Sequence, residues 1–391
     1  MTSVRIAERL GEEVLAQALH RDFRHMPAAI DPAGLLTWDD LNAILAAHRL
    51  DPPRLRLSQD GETLPQRSYS EPVTTRRHTV WHRLHPALLH ARLAEGASLA
   101  LDQADELHRP VAVLAEEFER IFRTRFQANV YASWTATEGF GTHWDDHDVL
   151  VAQVDGAKRW RIYGPTRRHP LYRDTSEPGP PPADPVADLV LHPGDLLYVP
   201  RGWWHAVTAD QGIPSLHVTY GFQTHTPSDL MSFVCEQLLG HAEFRADLPL
   251  AAGPDVQSAF LAEVRKLVGE QLDDPRLLAR YVEAMDGRDM GRMAPSLPYL
   301  TGVPADPDVR VRMTTARAVL TTTEDTVALA AAGHSYEFAS AAGPALAMLV
   351  TDGEHRVGDL ARAAGITAAD AAGLVQVLVD GQAAALTWAA R

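Results

Sequence analysis

Two histidines and one carboxylate are the residues of this sequence whose types and spacing suit metal chemistry. His143 and Asp145 lie two positions apart in a segment that runs into a strand pattern, and His205 follows a second strand pattern further along. Side chains two apart on a strand point to the same face, so His143 and Asp145 can chelate one ion from one side. Two histidines and one carboxylate with open positions are the ligand set of non-haem Fe(II) oxygenases. The sequence therefore predicts a metal-centred β-barrel site that activates dioxygen.

The H-x-[DE] pattern is weak evidence by itself, because the chain has 18 histidines. The pattern recurs at His20-Arg21-Asp22 and at 241–243, in or beside predicted helices, where we interpret it as incidental. His143 differs because it follows a glycine-rich turn, precedes a strand, and is matched downstream by G-D-x-L-Y-x-P-x-G-x-x-H. His147 is an alternative ligand, and its other interpretation is a residue at the rim of the site.

A period of two in the hydrophobic residues predicts the strands that position these ligands. We expect strands at 126–134, 146–154, 158–163, 188–191, 196–199, 204–209 and 215–222. The proline-rich segment 164–185 cannot be a core strand, because its prolines remove hydrogen-bond donors from the ladder. This segment is a candidate lid or rim of the site, or a plain crossover between strands.

Helical patterns flank the predicted strands on both sides. Before them we expect helices at 3–20, 37–48, 81–94 and 103–124, and after Phe222 three helices that each have a proline near the first turn. From Pro304 onward, short strands and helices follow in an order that resembles a winged helix. We predict three domains: residues 1–226 with the site, a helical region at 227–304, and a winged-helix-like domain at 305–391.

Composition limits the classes of partner. The chain has 391 residues with a formal net charge of −15, which makes it a poor non-specific binder of nucleic acids or anionic membranes, although a local basic patch can still exist. Its one cysteine, Cys235, cannot form an internal disulfide, which fits a reducing compartment. The N-terminus lacks the apolar core of a signal peptide, and no apolar run approaches the length of a membrane-spanning helix. We expect a cytoplasmic protein without membrane partners.

The segment around the ligand set resembles the JmjC-type Fe(II)/2-oxoglutarate oxygenases, and most closely their ribosomal oxygenase branch. The motifs that carry this resemblance are N-x-Y at 129–131, H-x-D at 143–145, G-x-K-x-W-R at 156–161 and P-G-D-x-L-Y-x-P-x-G-x-x-H at 193–205. The resemblance implies a mainly β core, a double-stranded β-helix (cupin or jelly-roll) barrel with flanking helices. It further implies that 227–304 is a dimerisation region of a homodimer and that 305–391 is the winged-helix-like domain.

The resemblance also implies that Lys158 binds the distal carboxylate of the co-substrate 2-oxoglutarate, with help from Tyr131. Strand alternation places Lys158 on the inward face with two apolar neighbours, Trp160 and Ile162, and a buried lysine needs an anionic partner. The alternative is an exposed strand lysine. Asn129 lies on the same face as Tyr131 and is either a further co-substrate contact or a satisfied polar residue of the core.

Two residues on the last predicted barrel strand are candidates for the substrate pocket. His217 and Thr219 are in phase with each other on that strand, and either can border the site. Trp203 and Trp204, which precede the third metal ligand, are better explained by packing inside the barrel.

Taken together, the resemblance implies hydroxylation of an amino-acid side chain in a protein, with ribosomal proteins as candidates, or in a peptide, by Fe(II), 2-oxoglutarate and O2. Relatives that hydroxylate arginine tend to carry arginine at the position of Lys158, so the resemblance does not indicate arginine as the substrate residue of this chain. The alternatives are a cupin metalloenzyme that does not use 2-oxoglutarate, a tailoring hydroxylase of peptide natural products, and a non-catalytic binding barrel. A DNA-binding regulator is disfavoured, because residues 363–390 contain no lysine or arginine to neutralise phosphate.

Overall fold

The computed structural model describes residues 3–77, 80–176, 179–210, 212–351 and 353–387. The chain forms two compact units, Met1–Gln223 and Thr224–Arg391, and each is described by itself. The boundary between them lies close to the predicted end of the barrel domain at residue 226. The further division at residue 304 stays a prediction.

The N-terminal unit is built on thirteen strands within the residues that the structure describes. They are β1 (Arg24–Met26), β2 (Leu55–Gln59), β3 (Glu62–Thr63), β4 (Ser70–Thr74), β5 (Val80–Leu84), β6 (Ser98–Leu101), β7 (Phe126–Ser133), β8 (Asp148–Asp155), β9 (Lys158–Pro165), β10 (Ala187–Leu191), β11 (Leu196–Val199), β12 (Trp203–Ala209) and β13 (Ser215–Phe222). The helices of this unit are α1 (Ser3–Arg9), which continues as a π-helical segment over Leu10–Leu15, α2 (Trp38–Ala47), α3 (Pro86–Ala94) and α4 (Arg109–Phe122).

Two sheets face each other across the barrel. The larger has eight strands in the order β1-β11-β8-β13-β7-β6-β2-β3, and the smaller has the order β10-β9-β12. Alternation along the strands divides their side chains between two environments. On β8, Leu150 and Ala152 pack in the main core with the helices, whereas Val149 and Val151 join an inner cluster with Trp160 of β9. The fold class predicted for this unit, a mainly β barrel with flanking helices, is confirmed.

The seven predicted barrel strands are all present, with bounds within two residues of those expected. The predicted helix 81–94 is wrong in its first part, because residues up to Leu84 form β5, which pairs with β4. The helix begins only at Pro86, whose ring fits the first turn, where the backbone N–H has no partner in the helix. Pro110 likewise lies in the first turn of α4, which begins at Arg109, so the predicted helix 103–124 is wrong over its first six residues.

The C-terminal unit combines helices with two small sheets. Its elements are α5 (Pro227–Leu238), α6 (Pro254–Leu272), α7 (Leu277–Gly287), β14 (Arg310–Met313), β15 (Val319–Thr322), β16 (Thr326–Ala331), β17 (His334–Ala339), α8 (Gly343–Leu349), β18 (His355–Arg356), α9 (Val357–Ala364), α10 (Ala368–Asp380) and β19 (Ala384–Thr387). The sheets have the orders β18-β14-β19 and β15-β16-β17. Helices α5–α7 are the three expected after Phe222, and β17 was not predicted. The likeness to a winged helix stays a prediction.

Within the described residues, no single helix is long and apolar enough to cross a membrane. Helices α9 and α10 together reach the required length and composition, but they are bent by 111° relative to each other. Their large apolar side chains, such as Leu360 and Leu378, are buried in the core of the C-terminal unit.

Candidate metal centre

A short antiparallel bridge brings the two predicted histidine ligands together. The backbone N–H of His143 donates to the carbonyl of His205 at 3.0 Å, and the N–H of His205 donates back at 2.8 Å. The carbonyl of Asp145 accepts from the N–H of Gly202 at 2.8 Å. Gly202 has φ +76°, and a Cβ there would lie 2.4 Å from Pro170, so this turn requires glycine. The backbone thus joins the two segments that carry the predicted ligands.

One ligand atom from each of His143, Asp145 and His205 lies within 4.8 Å of the others. The Asp145 carboxylate is 3.9 Å from Nε2 of His143 and 3.6 Å from Nε2 of His205. The other ring nitrogens are occupied: Nδ1 of His143 is 3.0 Å from the carbonyl of Gly141, and Nδ1 of His205 is 2.9 Å from that of Trp203. A carbonyl can only accept, so each Nδ1 carries the proton and each Nε2 keeps a lone pair for a metal.

The protonation states of these groups suit metal binding. Burial, followed by the neighbouring His143, lowers the pKa of His205 to about 4, so its imidazole is neutral at pH 7. Burial opposes ionisation of Asp145, but the adjacent histidines outweigh it and hold the pKa of Asp145 below its usual value. Metals bind neutral imidazole and ionised carboxylate. The geometry therefore supports the predicted ligand set, and its role stays a prediction.

His147, the alternative ligand, lies outside this set of three. Its Nδ1 is 3.1 Å from the Asp146 carboxylate. Burial opposes protonation of His147, but the hydrogen bond to Asp146 and the charge of Asp145 outweigh it and raise its pKa. The ring packs against Gly221, where a Cβ would lie 2.9 Å from the imidazole. His147 thus lies on the wall of the site, and its surroundings favour the protonated imidazole, which does not bind a metal.

A cavity of about 390 Å³ lies beside the ligand set, a size suited to a small molecule. The inward faces of β7, β9, β12 and β13 supply most of its wall. The lining residues are Arg56, Ser98, Asn129, Tyr131, Ala132, Phe140, Gly141, His143, Asp145, His147, Val149, Lys158, Trp160, His205, Val207, His217, Thr219 and Gly221. All eight residues that the sequence singled out as metal, co-substrate or substrate contacts are therefore in one cavity.

Lys158 is a buried cation without an anionic partner in the part of the chain that the structure describes. The residue is 4% exposed, and its Nζ donates to the Ser133 hydroxyl at 2.5 Å. Burial alone lowers the pKa of Lys158 to about 7. The neighbouring Arg159 points the other way and pairs with Asp188 and Asp210, as strand alternation predicts. Because a buried charge without a counter-ion costs free energy, the cavity favours an anionic ligand at this end.

Tyr131 and His217 lie face to face on neighbouring strands β7 and β13. Their ring centroids are 5.1 Å apart with 14° between the planes. Burial, followed by the charge of Asp145, raises the pKa of Tyr131 to about 12, so its hydroxyl remains a hydrogen-bond donor. Burial, followed by Lys158, holds the pKa of His217 well below its usual value, so the ring is neutral. Nδ1 of His217 is buried and has no hydrogen-bond partner within the described residues, which leaves it free for a ligand.

Asn129 and Thr219 are paired in register on β7 and β13, on the wall of the cavity. The side-chain oxygen of Asn129 accepts from the backbone N–H of Gln103 at 3.0 Å. Gln103 has φ +54°, an unusual conformation for this residue, and the hydrogen bond helps to hold it. Asn129 therefore has a structural role, and both of its predicted roles stay open.

Arg56 lines the cavity and was not predicted from the sequence. It lies on β2 and forms a two-pronged ion pair with Asp102, with nitrogen–oxygen distances of 3.0 to 3.2 Å. Cross-strand pairing connects Arg56 through Ala100 of β6 to Tyr131 of β7. Alternation in 55–58 was the available signal, because Leu55 and Leu57 are buried in the main core and Arg56 must face the other way.

The part of the chain that contains this geometry is similar to known proteins. Residues 106–230 match the model of the JmjC domain. A bifunctional lysine-specific demethylase and histidyl-hydroxylase of Drosophila persimilis is 33% identical over 174 residues, covering 43% of this chain and 25% of that protein. Ribosomal oxygenase 1 of Gallus gallus is 28% identical over 261 residues, covering 62% of this chain and 42% of that protein. The chain thus spans less than half the length of these relatives.

Among solved structures, the ribosomal oxygenase YcfD of Escherichia coli in complex with cobalt and 2-oxoglutarate matches with a TM-score of 0.60 and 18% identity. The match covers 97% of this chain and 98% of that one. The same protein in complex with cobalt and succinic acid matches with a TM-score of 0.58. At this identity the likeness shows the fold. The predicted resemblance is confirmed by the JmjC match together with the curated relatives. Residues 106–230 of this chain are therefore similar to the JmjC domain, and the chain is similar in fold to a ribosomal oxygenase.

Proposed function

We propose that this chain is an Fe(II)- and 2-oxoglutarate-dependent oxygenase that hydroxylates an amino-acid side chain of a protein, with ribosomal proteins as the first candidates. One observation carries the proposal: His143, Asp145 and His205 converge in a cavity that also contains the unpaired cation of Lys158. A divalent metal and a carboxylate-bearing co-substrate together satisfy both features.

The residues present fit these groups. Nε2 of His143, Nε2 of His205 and the Asp145 carboxylate would hold Fe(II) and leave coordination positions open. Lys158 and the phenol of Tyr131 would hold the distal carboxylate of 2-oxoglutarate through charge-assisted hydrogen bonds. When bound, iron and 2-oxoglutarate supply the activation of O2 and the oxidation of a C–H bond, with succinate and carbon dioxide as products.

The protein's own contribution is placement and charge. Ser133 fixes the position of the Lys158 ammonium through the 2.5 Å hydrogen bond. Trp160 packs against the ring of His205, with centroids 5.4 Å apart, and so limits the rotation of a predicted ligand. The neutral state of His217 keeps a second positive charge away from Lys158. These contacts hold the groups in place before a ligand arrives, which lowers the cost of binding.

Two lines support a protein side chain as the substrate. The relatives are named for histidyl hydroxylation, lysine-specific demethylation and ribosomal oxygenation. The net charge of −15 favours basic partners such as ribosomal proteins. His217, with its free Nδ1, and Thr219 are the proposed contacts to the substrate. The proposal includes a cytoplasmic location, and it does not include binding to DNA or membranes by the oxygenase site.

The proposal includes a homodimer formed through 227–304. Large apolar side chains are exposed throughout this region, which is typical of an interaction surface. Those exposed by more than half are Leu239, Leu248, Leu250, Val256, Leu261, Leu278, Met290, Met293, Leu297 and Leu300. Sedimentation velocity tests the dimer: Leu261→Glu with Leu278→Glu should give monomers, whereas Val186→Glu in the N-terminal unit should not. A native protein that sediments as a monomer would contradict it.

The oxygenase is tested by succinate formation from 2-oxoglutarate, after Fe(II) is loaded anaerobically and air is admitted. Native protein should turn over 2-oxoglutarate slowly without substrate, and His143→Ala and Lys158→Ala should both lose this activity. Lys266→Ala is the matched control, because Lys266 is the only other lysine and its side chain is 61% exposed. Native protein that neither binds nor consumes 2-oxoglutarate would favour a cupin metalloenzyme of another kind.

A further inference from the structure

A second cavity of the N-terminal unit, of about 610 Å³, is lined by four arginines and one tryptophan. These are Arg21, Arg167, Arg168, Arg201 and Trp203, and we call the cavity the arginine groove. None of its lining residues lines the cavity of the metal centre. No aspartate or glutamate lines it within the described residues. In a chain with a net charge of −15, this local excess of cations requires an explanation.

The structure balances only part of this charge. Nη1 of Arg167 pairs with Asp174 at 2.9 Å. Nε of Arg201 is buried and has no hydrogen-bond partner within the described chain. Arg21 and Arg168 are exposed, and no carboxylate pairs with either in the part of the chain described. Like charges that line one cavity repel each other, and a bound anion would reduce this repulsion.

The groove is assembled from three separate segments that hydrogen bonds hold in place. Arg21 follows His20, whose backbone N–H donates to the Tyr198 hydroxyl at 3.0 Å. The turn after β9 contributes Arg167 and Arg168, and the turn before β12 contributes Arg201. Thr166 joins these two turns, because its N–H donates to the carbonyl of Gly202 at 2.7 Å. The positive charges therefore converge through tertiary structure.

Trp203 indicates what kind of anion fits. Its indole is partly exposed: it packs against the inner cluster of the barrel, as predicted, and also lines the groove, where Phe23 contacts it edge-on with ring centroids 6.0 Å apart. Arginines that bind phosphates beside an aromatic ring that stacks on bases are the combination found in single-stranded nucleic-acid sites. An acidic peptide would use the guanidinium groups but not the indole face. A lone phosphate ion would need neither the indole nor a cavity of this size.

We propose that the arginine groove binds a single-stranded nucleic acid, with phosphates on Arg21, Arg168 and Arg201 and a base on Trp203. This site is separate from the proposed oxygenase function and does not depend on it. The net negative charge of the chain limits binding elsewhere on the surface, so the groove confines nucleic acid to one place.

The test is fluorescence anisotropy of the full chain with labelled oligouridine of about 12 nucleotides, between about 50 and 200 mM salt. Arg21→Gln with Arg168→Gln should weaken binding. The slope of log K against log salt concentration should become less negative by about 0.7 for each phosphate that is no longer neutralised. Trp203→Leu should weaken binding about fivefold or more, with the salt dependence unchanged. Arg49→Gln with Arg83→Gln is the matched control, since it removes two exposed arginines outside the groove.

Three results would overturn the proposal. The first is no binding of oligouridine or of a single-stranded DNA of equal length at about 100 µM protein. The second is equal weakening of binding in the control and groove variants. The third is tighter binding of polyglutamate than of oligouridine with the same dependence on Arg21 and Arg168, which would assign the groove to acidic polypeptides. Uncoupled 2-oxoglutarate turnover, measured in the Arg21→Gln with Arg168→Gln variant, should be unchanged and so separates this site from the metal centre.

Discussion

Replacing Lys158 by methionine should stabilise the ligand-free protein and abolish 2-oxoglutarate binding. Methionine has an unbranched chain of similar length without the charge, so it can fill the same space on β9. The charge is unfavourable in the empty site because Lys158 is 4% exposed and has only the Ser133 hydroxyl as a partner among the described residues. The same charge is what an incoming carboxylate needs. Stability and binding therefore change in opposite directions.

The magnitude follows from the pKa. Burial lowers the pKa of Lys158 from 10.5 to about 7, and each pKa unit corresponds to about 1.4 kcal/mol. At pH 7.5 the amine must lose its proton or bury its charge when the chain folds, which costs about 4 kcal/mol of folding free energy. Loss of the hydrogen bond to Ser133 in the variant offsets about 1 kcal/mol of this stabilisation. We expect the free energy of unfolding of Lys158→Met to exceed that of the native chain by about 3 kcal/mol.

The pH dependence provides an independent check. The folded pKa of about 7 lies below the unfolded value of 10.5, so the unfolded state binds more protons between these values. The cost is fully present below pH 7 and is relieved as pH rises toward 10.5. The contribution of Lys158 to the free energy of unfolding of the native chain should therefore increase between pH 7 and 10.5, and Lys158→Met should not show this increase.

Urea unfolding followed by tryptophan fluorescence measures both effects. Seven of the eight tryptophans lie in the N-terminal unit, so the signal reports on the unit that contains Lys158. Lys266→Met, at the exposed lysine of α6, is the control and should change stability by no more than about 0.5 kcal/mol. Added 2-oxoglutarate with Co(II) should stabilise the native chain but not Lys158→Met. A variant no more stable than the native chain, with the same pH slope, would refute the reasoning.

Three further predictions concern the metal centre, a buried hydrogen bond of the N-terminal unit and a buried arginine of the C-terminal unit. His205→Gln should abolish the absorption of bound Co(II), whereas His147→Gln should retain it, because Nδ1 of His147 contacts Asp146 and His147 lies outside the set of three ligands. Loss of the absorption in both variants would make His147 a ligand. Tyr198→Phe should lower the free energy of unfolding by about 1–3 kcal/mol, because it removes the 2.5 Å hydrogen bond to the fully buried Asp148. Tyr172 is 78% exposed, so Tyr172→Phe should leave the free energy of unfolding unchanged in the same urea titration. Arg317→Met should destabilise the C-terminal unit by about 3–5 kcal/mol, because the buried carboxylates of Asp286 and Asp289 lose their ion pairs with Arg317 at 2.8 and 3.0 Å. Unfolding followed by circular dichroism measures this change, and an equally stable variant would show that the ion pairs are dispensable.

The barrel strands and the ligand motif were accessible from the sequence because both depend on local patterns. On β9, alternation of Lys158, Trp160 and Ile162 with arginines predicted which side chains face inward, and the burial of these residues agrees. The short strands were less accessible. β6 has four buried residues and no alternation, and β5 was taken as the start of a helix because its apolar residues fit a helical period.

The roles of individual cavity residues required contacts between distant parts of the chain. The Arg56–Asp102 pair joins residues 46 apart, and the Lys158–Ser133 hydrogen bond joins residues 25 apart. Neither spacing is a periodic signal. The arginine groove is assembled in the same way from positions near 21, 167 and 201, so composition alone suggested an acidic surface.

The sequence by itself determined the barrel strands, the three candidate metal ligands and the inward position of Lys158, because strand periodicity and turn residues act over a few positions. Only the tertiary structure decided that the Nε2 atoms of His143 and His205 meet at the Asp145 carboxylate, that His147 does not, and that Lys158 lacks an anionic partner among the described residues. The physical reason is that ligand geometry, desolvation and charge pairing depend on distances across the barrel, which are set by how the sheets pack and not by spacing along the chain.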